Sequence, residues 1–191
     1  EPLLTSSGPE LRLPIAELSF PALRSLSLSQ YRDFRACMQL LVDSDRRTSV
    51  FEYTLHHMML RHLEDAFEDR RRRVRPVRSL EILRPACVDL LSALAHVGQA
   101  GESSAGTAFD SGMMELFPGE DVSVSEPSLS ALDRSLEAIG SATPNLKRRV
   151  VAACVACVVS DRQVTVGEAE LLRAVTDSLA CPVPPLIADY N

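Results

Sequence analysis

The chain has 191 residues with 46% apolar content, enough for a packed core and too much for wholesale disorder. Aromatics make up 5% and Trp is absent, so Leu, Val, Ala and Met must fill that core, which suits helices better than sheets. A net charge of −6 counts against a general nucleic-acid binder, and charge interrupts every apolar run before it reaches bilayer-spanning length.

The first residues, Glu1 to Glu10, carry no basic region followed by an apolar run, so they read as a linker and not as a signal peptide. Pro2, Gly8, Pro9 and Pro14 predict an extended or irregular start, and residues 1–19 are assigned to this linker. One helical domain is expected over 20–187, with a tail at 188–191. A short helix is expected at Phe20–Leu26. Ser29 is expected to cap a second helix running through Leu41, with Phe34, Cys37, Met38 and Leu41 on its inner face.

The third helix is expected from Ser49 to about Phe67, with a stripe of Phe51, Leu55, Met58, His62 and Ala66. A charged loop with Pro76 follows. Ser79 then opens a helix with Leu83, Cys87, Leu90, Leu94 and Val97 at helical spacing, ended by Gly98. A helix between Gly101 and Pro118 carries Phe109, Met113, Leu116 and Phe117. The next, Ser128 to Ile139, carries Leu129, Leu132, Leu136 and Ile139. Thr143-Pro144 starts a further helix, because Pro suits the first helical position. Its body, Leu146 to Val159, is apolar almost all round, which predicts the central, buried helix. The last helix is expected at Val166–Leu179, ended by Pro182, Pro184 and Pro185. No strand-like alternation appears, so the fold class is all-α.

Two stretches of the chain repeat. Ser44-Asp45-Arg46-Arg47-Thr48-Ser49-Val50-Phe51-Glu52 recurs as Ser160-Asp161-Arg162-Gln163-Val164-Thr165-Val166-Gly167-Glu168, both fitting S-D-R-x-x-[ST]-V-x-E. Each follows one helix-like run and opens another, which predicts two helix–loop–helix units with an acidic elbow. Ser49-x-x-Glu52 and Thr165-x-x-Glu168 fit a capping box, in which hydroxyl and carboxylate satisfy backbone donors reciprocally. The competing reading is a divalent-cation site held by Asp45, Glu52, Asp161 and Glu168. Each elbow supplies fewer carboxylates than calcium sites use, so capping is the favoured reading.

The repeated elbow between helices resembles the TerB-like fold of tellurite-resistance proteins and some DnaJ-type co-chaperones. That family usually has Gly after the Asp, where this chain has Arg46 and Arg162, a departure that counts against carrying over a metal role. A closer resemblance runs from about Leu23 to Leu186, through FRACMQLLVDSDRRTSVFEYTLHHMMLRHL, LRPACVDLLSALAHVG and the segment from Leu129 to Leu186. These runs are similar to the C-terminal extension of bacterial M48-family zinc metallopeptidases related to HtpX. The resemblance implies a non-catalytic accessory or regulatory domain on a membrane-anchored parent, at the cytoplasmic face of the inner membrane and soluble when isolated. Zinc is then expected in the parent's peptidase domain and no cofactor in this chain. Partners would be the parent's peptidase domain or another protein. The alternative is a free-standing TerB-type cation-binding or stress-response module.

Nothing in the chain supplies a catalytic apparatus. H-E-x-x-H is missing, and His56, His57, His62 and His96 fall at spacings that do not place two on one clean helical face. Glu52 and His56, four apart, remain a conceivable metal contact. Cys154-x-x-Cys157 lies within an apolar helix with no strand before it, unlike a redox motif. With Cys37, Cys87 and Cys181, it is read as reduced, buried thiol packing. Arg70, Arg71, Arg72, Arg73, Arg75 and Arg78 form a dense cationic stretch, expected as a solvated loop or as a contact for an anionic membrane surface or acidic partner. Nucleic acid is not expected as a partner, because no aromatics interleave the arginines.

Overall fold

A computed structural model describes residues 11–44, 49–67, 76–98 and 102–181. Among these, every regular element is a helix, and the only pairing of extended backbone is an isolated parallel bridge between Val77 and Ala142. The chain falls into two compact units, Glu1–Arg73 and Val74–Asn191, and each contains one copy of the repeated elbow.

The first unit holds α1 (Arg12–Arg24), α2 (Leu28–Ser44) and α3 (Val50–Phe67). Helix α1 starts earlier than the expected Phe20 and takes in part of the expected linker. Pro14 is its third residue, where an amide N–H would have no acceptor within the helix, so the ring costs little there. Leu13, Ala16 and Phe20 of α1 are buried, and α1 packs on α3. The cap of α2 is Ser27, not Ser29. The Gln30 amide donates to Ser27 Oγ at 3.3 Å, and the Ser27 amide donates to Gln30 Oε1 at 2.8 Å.

Two expected inner faces are turned in the structure. On α2, Cys37 is exposed, and the buried anchor is Tyr31, stacked on Phe67 of α3 at 4.6 Å between ring centroids. On α3, Met58 is buried as expected, but Ala66 is exposed and Thr54 is fully buried. The Thr54 hydroxyl donates to the Val50 carbonyl at 2.7 Å, which satisfies it inside the core.

The second unit is built from α4 (Leu80–Gly98), α5 (Glu102–Leu116), α6 (Leu129–Gly140), α7 (Pro144–Val158) and α8 (Val166–Ser178). Its central helix is α4, which packs against the other four. Six consecutive residues of α4, Leu90 to Ala95, are buried, so that stretch has no solvent face. Helix α7, expected to be central, instead exposes Ala152 and its flanking Val159. Its apolar outer face is made of small residues, which gives little drive for burial. Phe109, Met113, Leu116 and Phe117 are buried as their spacing predicts, as are Leu132, Leu136 and Ile139. Val97, assigned to the inner face of α4, is exposed.

Helices α5 and α7 meet closely at Gly112. A β-carbon there would lie 2.9 Å from Leu91 Cδ2, 3.0 Å from the Ala153 carbonyl oxygen and 3.2 Å from Cys157 Cβ. The loop between α5 and α6 is held to α4 at two points. Arg84 forms ion pairs with Glu81 and Glu120 and lies over the Phe117 ring, 5.3 Å from its centroid. Further along, the Ser125 amide donates to the buried Ser92 hydroxyl oxygen at 3.1 Å.

Candidate functional site

The second elbow links α7 to α8. Arg162 occupies the left-handed region at φ 63°, and its amide donates to the Val159 carbonyl at 2.9 Å. The Asp161 carboxylate accepts from the Gln163 amide at 2.9 Å, a local turn bond that short acidic side chains favour. Thr165 then closes the expected box. The Glu168 amide donates to Thr165 Oγ1 at 3.2 Å, and the Thr165 amide donates to Glu168 Oε2 at 2.8 Å. The Thr165 hydroxyl also donates to the same carboxylate oxygen, at 2.7 Å. Glu168 is 4% exposed, so these bonds hold a buried carboxylate.

The first elbow ends in the same device. The Glu52 amide donates to Ser49 Oγ at 3.2 Å, while the Ser49 amide and hydroxyl each donate to Glu52 Oε2 at 2.9 Å. These bonds, with a smaller contribution from the Arg12 guanidinium, hold the Glu52 carboxyl below its ordinary range. Asp45 lies outside the described residues. Glu52, Asp161 and Glu168 all have their carboxylates engaged by local backbone or hydroxyl donors. Among the described residues, no group of three or more His, Cys, Asp or Glu is placed to hold a metal ion.

The histidines of α3 are drawn into packing. The His62 ring packs against Phe20 in a tilted pair with centroids 4.4 Å apart, and its Nδ1 lies 3.2 Å from an Arg24 guanidinium nitrogen. His56 is buried, with its ring 6.3 Å from that of Tyr53. Among the described residues, the i, i+4 spacing of Glu52 and His56 does not lead to a ligand cluster.

Cys87 on α4 and Cys154 and Cys157 on α7 are buried free thiols. Burial pushes Cys87 and Cys157 up to about 12 and drives Cys154 well above its ordinary value, with Cys157 and Cys87 adding to the effect at Cys154. The Cys157 thiol donates to the Leu91 carbonyl at 3.8 Å. These are protonated packing groups, as the sequence predicts for this pair, and not activated nucleophiles. Cys37, exposed, and Cys181, partly exposed, depart from the expected burial.

Of the cationic stretch, Arg78 is described and is exposed. Arg70, Arg71, Arg72, Arg73 and Arg75 lie outside the described residues. The pattern of apolar spacing did not reveal the ion pair on α8 between Glu170 and Arg173, 3.0 Å apart with side chains 12% and 13% exposed. The i, i+3 spacing of opposite charges on one helix was the available signal.

Comparison with family models, with curated proteins and with solved structures finds no match for this chain. Among the described residues, no helix is long and apolar enough to cross a membrane.

Proposed function

We propose that this chain is a non-catalytic accessory or regulatory module of a membrane-bound M48-type zinc metallopeptidase, acting on the cytoplasmic face of the membrane. The observation that carries the reading is the paired elbow. The same S-D-R-x-x-[ST]-V-x-E segment opens α3 and α8, and in both it ends in a capping box between hydroxyl and glutamate. Two helix–elbow–helix units are what the TerB-like resemblance implies. The four elbow carboxylates are read as structural, so the module would work by contact with its parent's peptidase domain or with another protein. No zinc or other cofactor is assigned to it.

The test has two parts. The coding sequence upstream of Glu1 is expected to contain H-E-x-x-H flanked by apolar spans. In the parent, deletion of this module is expected to change the rate or choice of cleavage while zinc content stays the same. An upstream sequence without the motif, or unchanged cleavage after deletion, overturns the reading. The isolated chain is expected to leave casein intact with and without added zinc; chelator-sensitive cleavage by the pure chain would make it an enzyme instead.

A further inference from the structure

The parallel bridge of the second unit brings two helix starts together. The Val77 amide donates to the Ser141 carbonyl at 3.2 Å, and the Thr143 amide donates to the Val77 carbonyl at 3.0 Å. Helices α4 and α7 begin within three residues of this bridge and pack on one another, so their N-terminal ends lie side by side. Arg78 sits next to the bridge. Arg148 and Arg149 lie in the early turns of α7, and all three are exposed. None of them forms an ion pair with a described residue, whereas Arg84, further along α4, is taken up by Glu81 and Glu120.

Thr143 offers no side-chain hydrogen bond to the first turn of α7. At the same end, Ile82 in the first turn of α4 is 69% exposed, and Pro144 is exposed as well. Exposed guanidiniums without an ion-pair partner among the described residues, at the same end of the unit as an exposed apolar side chain, match the interface of an anionic bilayer, where phosphate meets the start of the acyl region. A nucleic-acid surface would call for stacking aromatics, and no aromatic residue is found in 76–84 or 141–149.

We propose that this end of the second unit, carrying Arg78, Arg148, Arg149 and Ile82, is a contact surface for the phosphate groups of anionic lipids. The surface stands apart from the regulatory reading above: vesicle binding by a chain that has no effect on any peptidase would leave it intact. The test uses the whole chain and co-sedimentation at low ionic strength. One set of vesicles is phosphatidylcholine alone, and in the other about a third of the lipid is phosphatidylglycerol.

Binding is expected to the second set only and is expected to fade as salt rises, because exposed charges are screened. Replacing the three arginines by Gln is expected to lower partitioning about tenfold or more, with an unchanged melting curve. Ile82→Ser is expected to weaken binding without altering its salt dependence. A charge-matched control, Arg32→Gln with Arg134→Gln and Arg162→Gln, should bind like the unmodified chain. No binding to anionic vesicles, an unchanged triple variant, or an equal loss in the control overturns the proposal. Loss of vesicle binding in inorganic phosphate, but not in chloride of equal ionic strength, would assign the surface to free phosphate instead. Tighter binding to duplex DNA than to vesicles would likewise overturn the lipid assignment.

Discussion

Thr165 and Glu168 hold each other: the Glu168 amide reaches Thr165 Oγ1 at 3.2 Å, and the Thr165 amide reaches Glu168 Oε2 at 2.8 Å. Thr165→Ala is expected to cost about 1 kcal/mol in urea unfolding, the usual loss for an N-cap hydroxyl. Ser49→Ala is expected to cost less, because Glu52 is exposed whereas Glu168 is buried and loses a partner inside the fold. Equal effects at the two positions would show that burial of Glu168 adds nothing to its cap.

The first cap should respond to acid. Glu52 is held below its ordinary value of 4.5, so its contribution is present above that value and is lost as pH falls through the lower folded value. Glu52→Gln should therefore flatten this part of the acid titration of stability. A titration unchanged by the substitution would remove the Ser49 bonds as its cause.

Among the described residues, two other than Gly adopt left-handed backbone, Arg162 at φ 63° and Ala180 at φ 56°. Ala180 ends α8 in a Schellman arrangement, with the Cys181 amide on the Thr176 carbonyl at 2.9 Å and the Ala180 amide on the Asp177 carbonyl at 2.8 Å. The helix thus stops at Ser178, before the prolines expected to end it. Arg162→Gly and Ala180→Gly are each expected to stabilise the chain by about 0.5–1 kcal/mol, since relief of β-carbon strain outweighs the added freedom of the unfolded chain. Destabilisation in both variants would show that these side chains contribute more than the strain they cause.

Gly112 and Gly106 share α5 but not its surroundings. A β-carbon at Gly112 would press on the Ala153 carbonyl oxygen at 3.0 Å, whereas one at Gly106 meets nothing within 4 Å. Gly112→Ala is expected to lower stability by about 1–2 kcal/mol, overpacking outweighing the gain in helix propensity. Gly106→Ala is expected to raise it by up to about 1 kcal/mol. Thermal or urea melts of the two variants should move in opposite directions.

The buried thiols set an alkaline limit. Cys87 and Cys157 stay protonated up to about 12 in the folded chain, against an ordinary value of 9.0. Between those values the native state binds more protons than the unfolded state, so stability falls as pH rises. Urea midpoints should drop above about pH 9, and less steeply in a Cys87→Ala variant, compared with its own value at neutral pH. Native-state alkylation at pH 8 should modify Cys37 fast and leave Cys87, Cys154 and Cys157 unmodified until unfolding. Rapid native labelling of those three would contradict their burial.

The sequence by itself determined what depends on near neighbours along the chain. Ser49 with Glu52, Thr165 with Glu168, and Pro144 at the start of α7 are local devices completed within three or four residues, so their spacing predicts the helix starts found. The all-α class follows in the same way from apolar spacing, and Leu132, Leu136 and Ile139 are buried where that spacing puts them. Tertiary structure decided which of several apolar faces turns inward. Cys37 and Val97 are exposed although their spacing fits an inner face, and Thr54 is buried, its hydroxyl satisfied there by the Val50 carbonyl. The composition of α7 pointed to a central helix, yet α4 holds that place because four other helices pack on it. Capping bonds close within one turn and are written in the local sequence. Burial is set by segments far along the chain, and so is the meeting of Arg78 with the start of α7 across the Val77–Ala142 bridge, because no local pattern encodes which distant surface arrives.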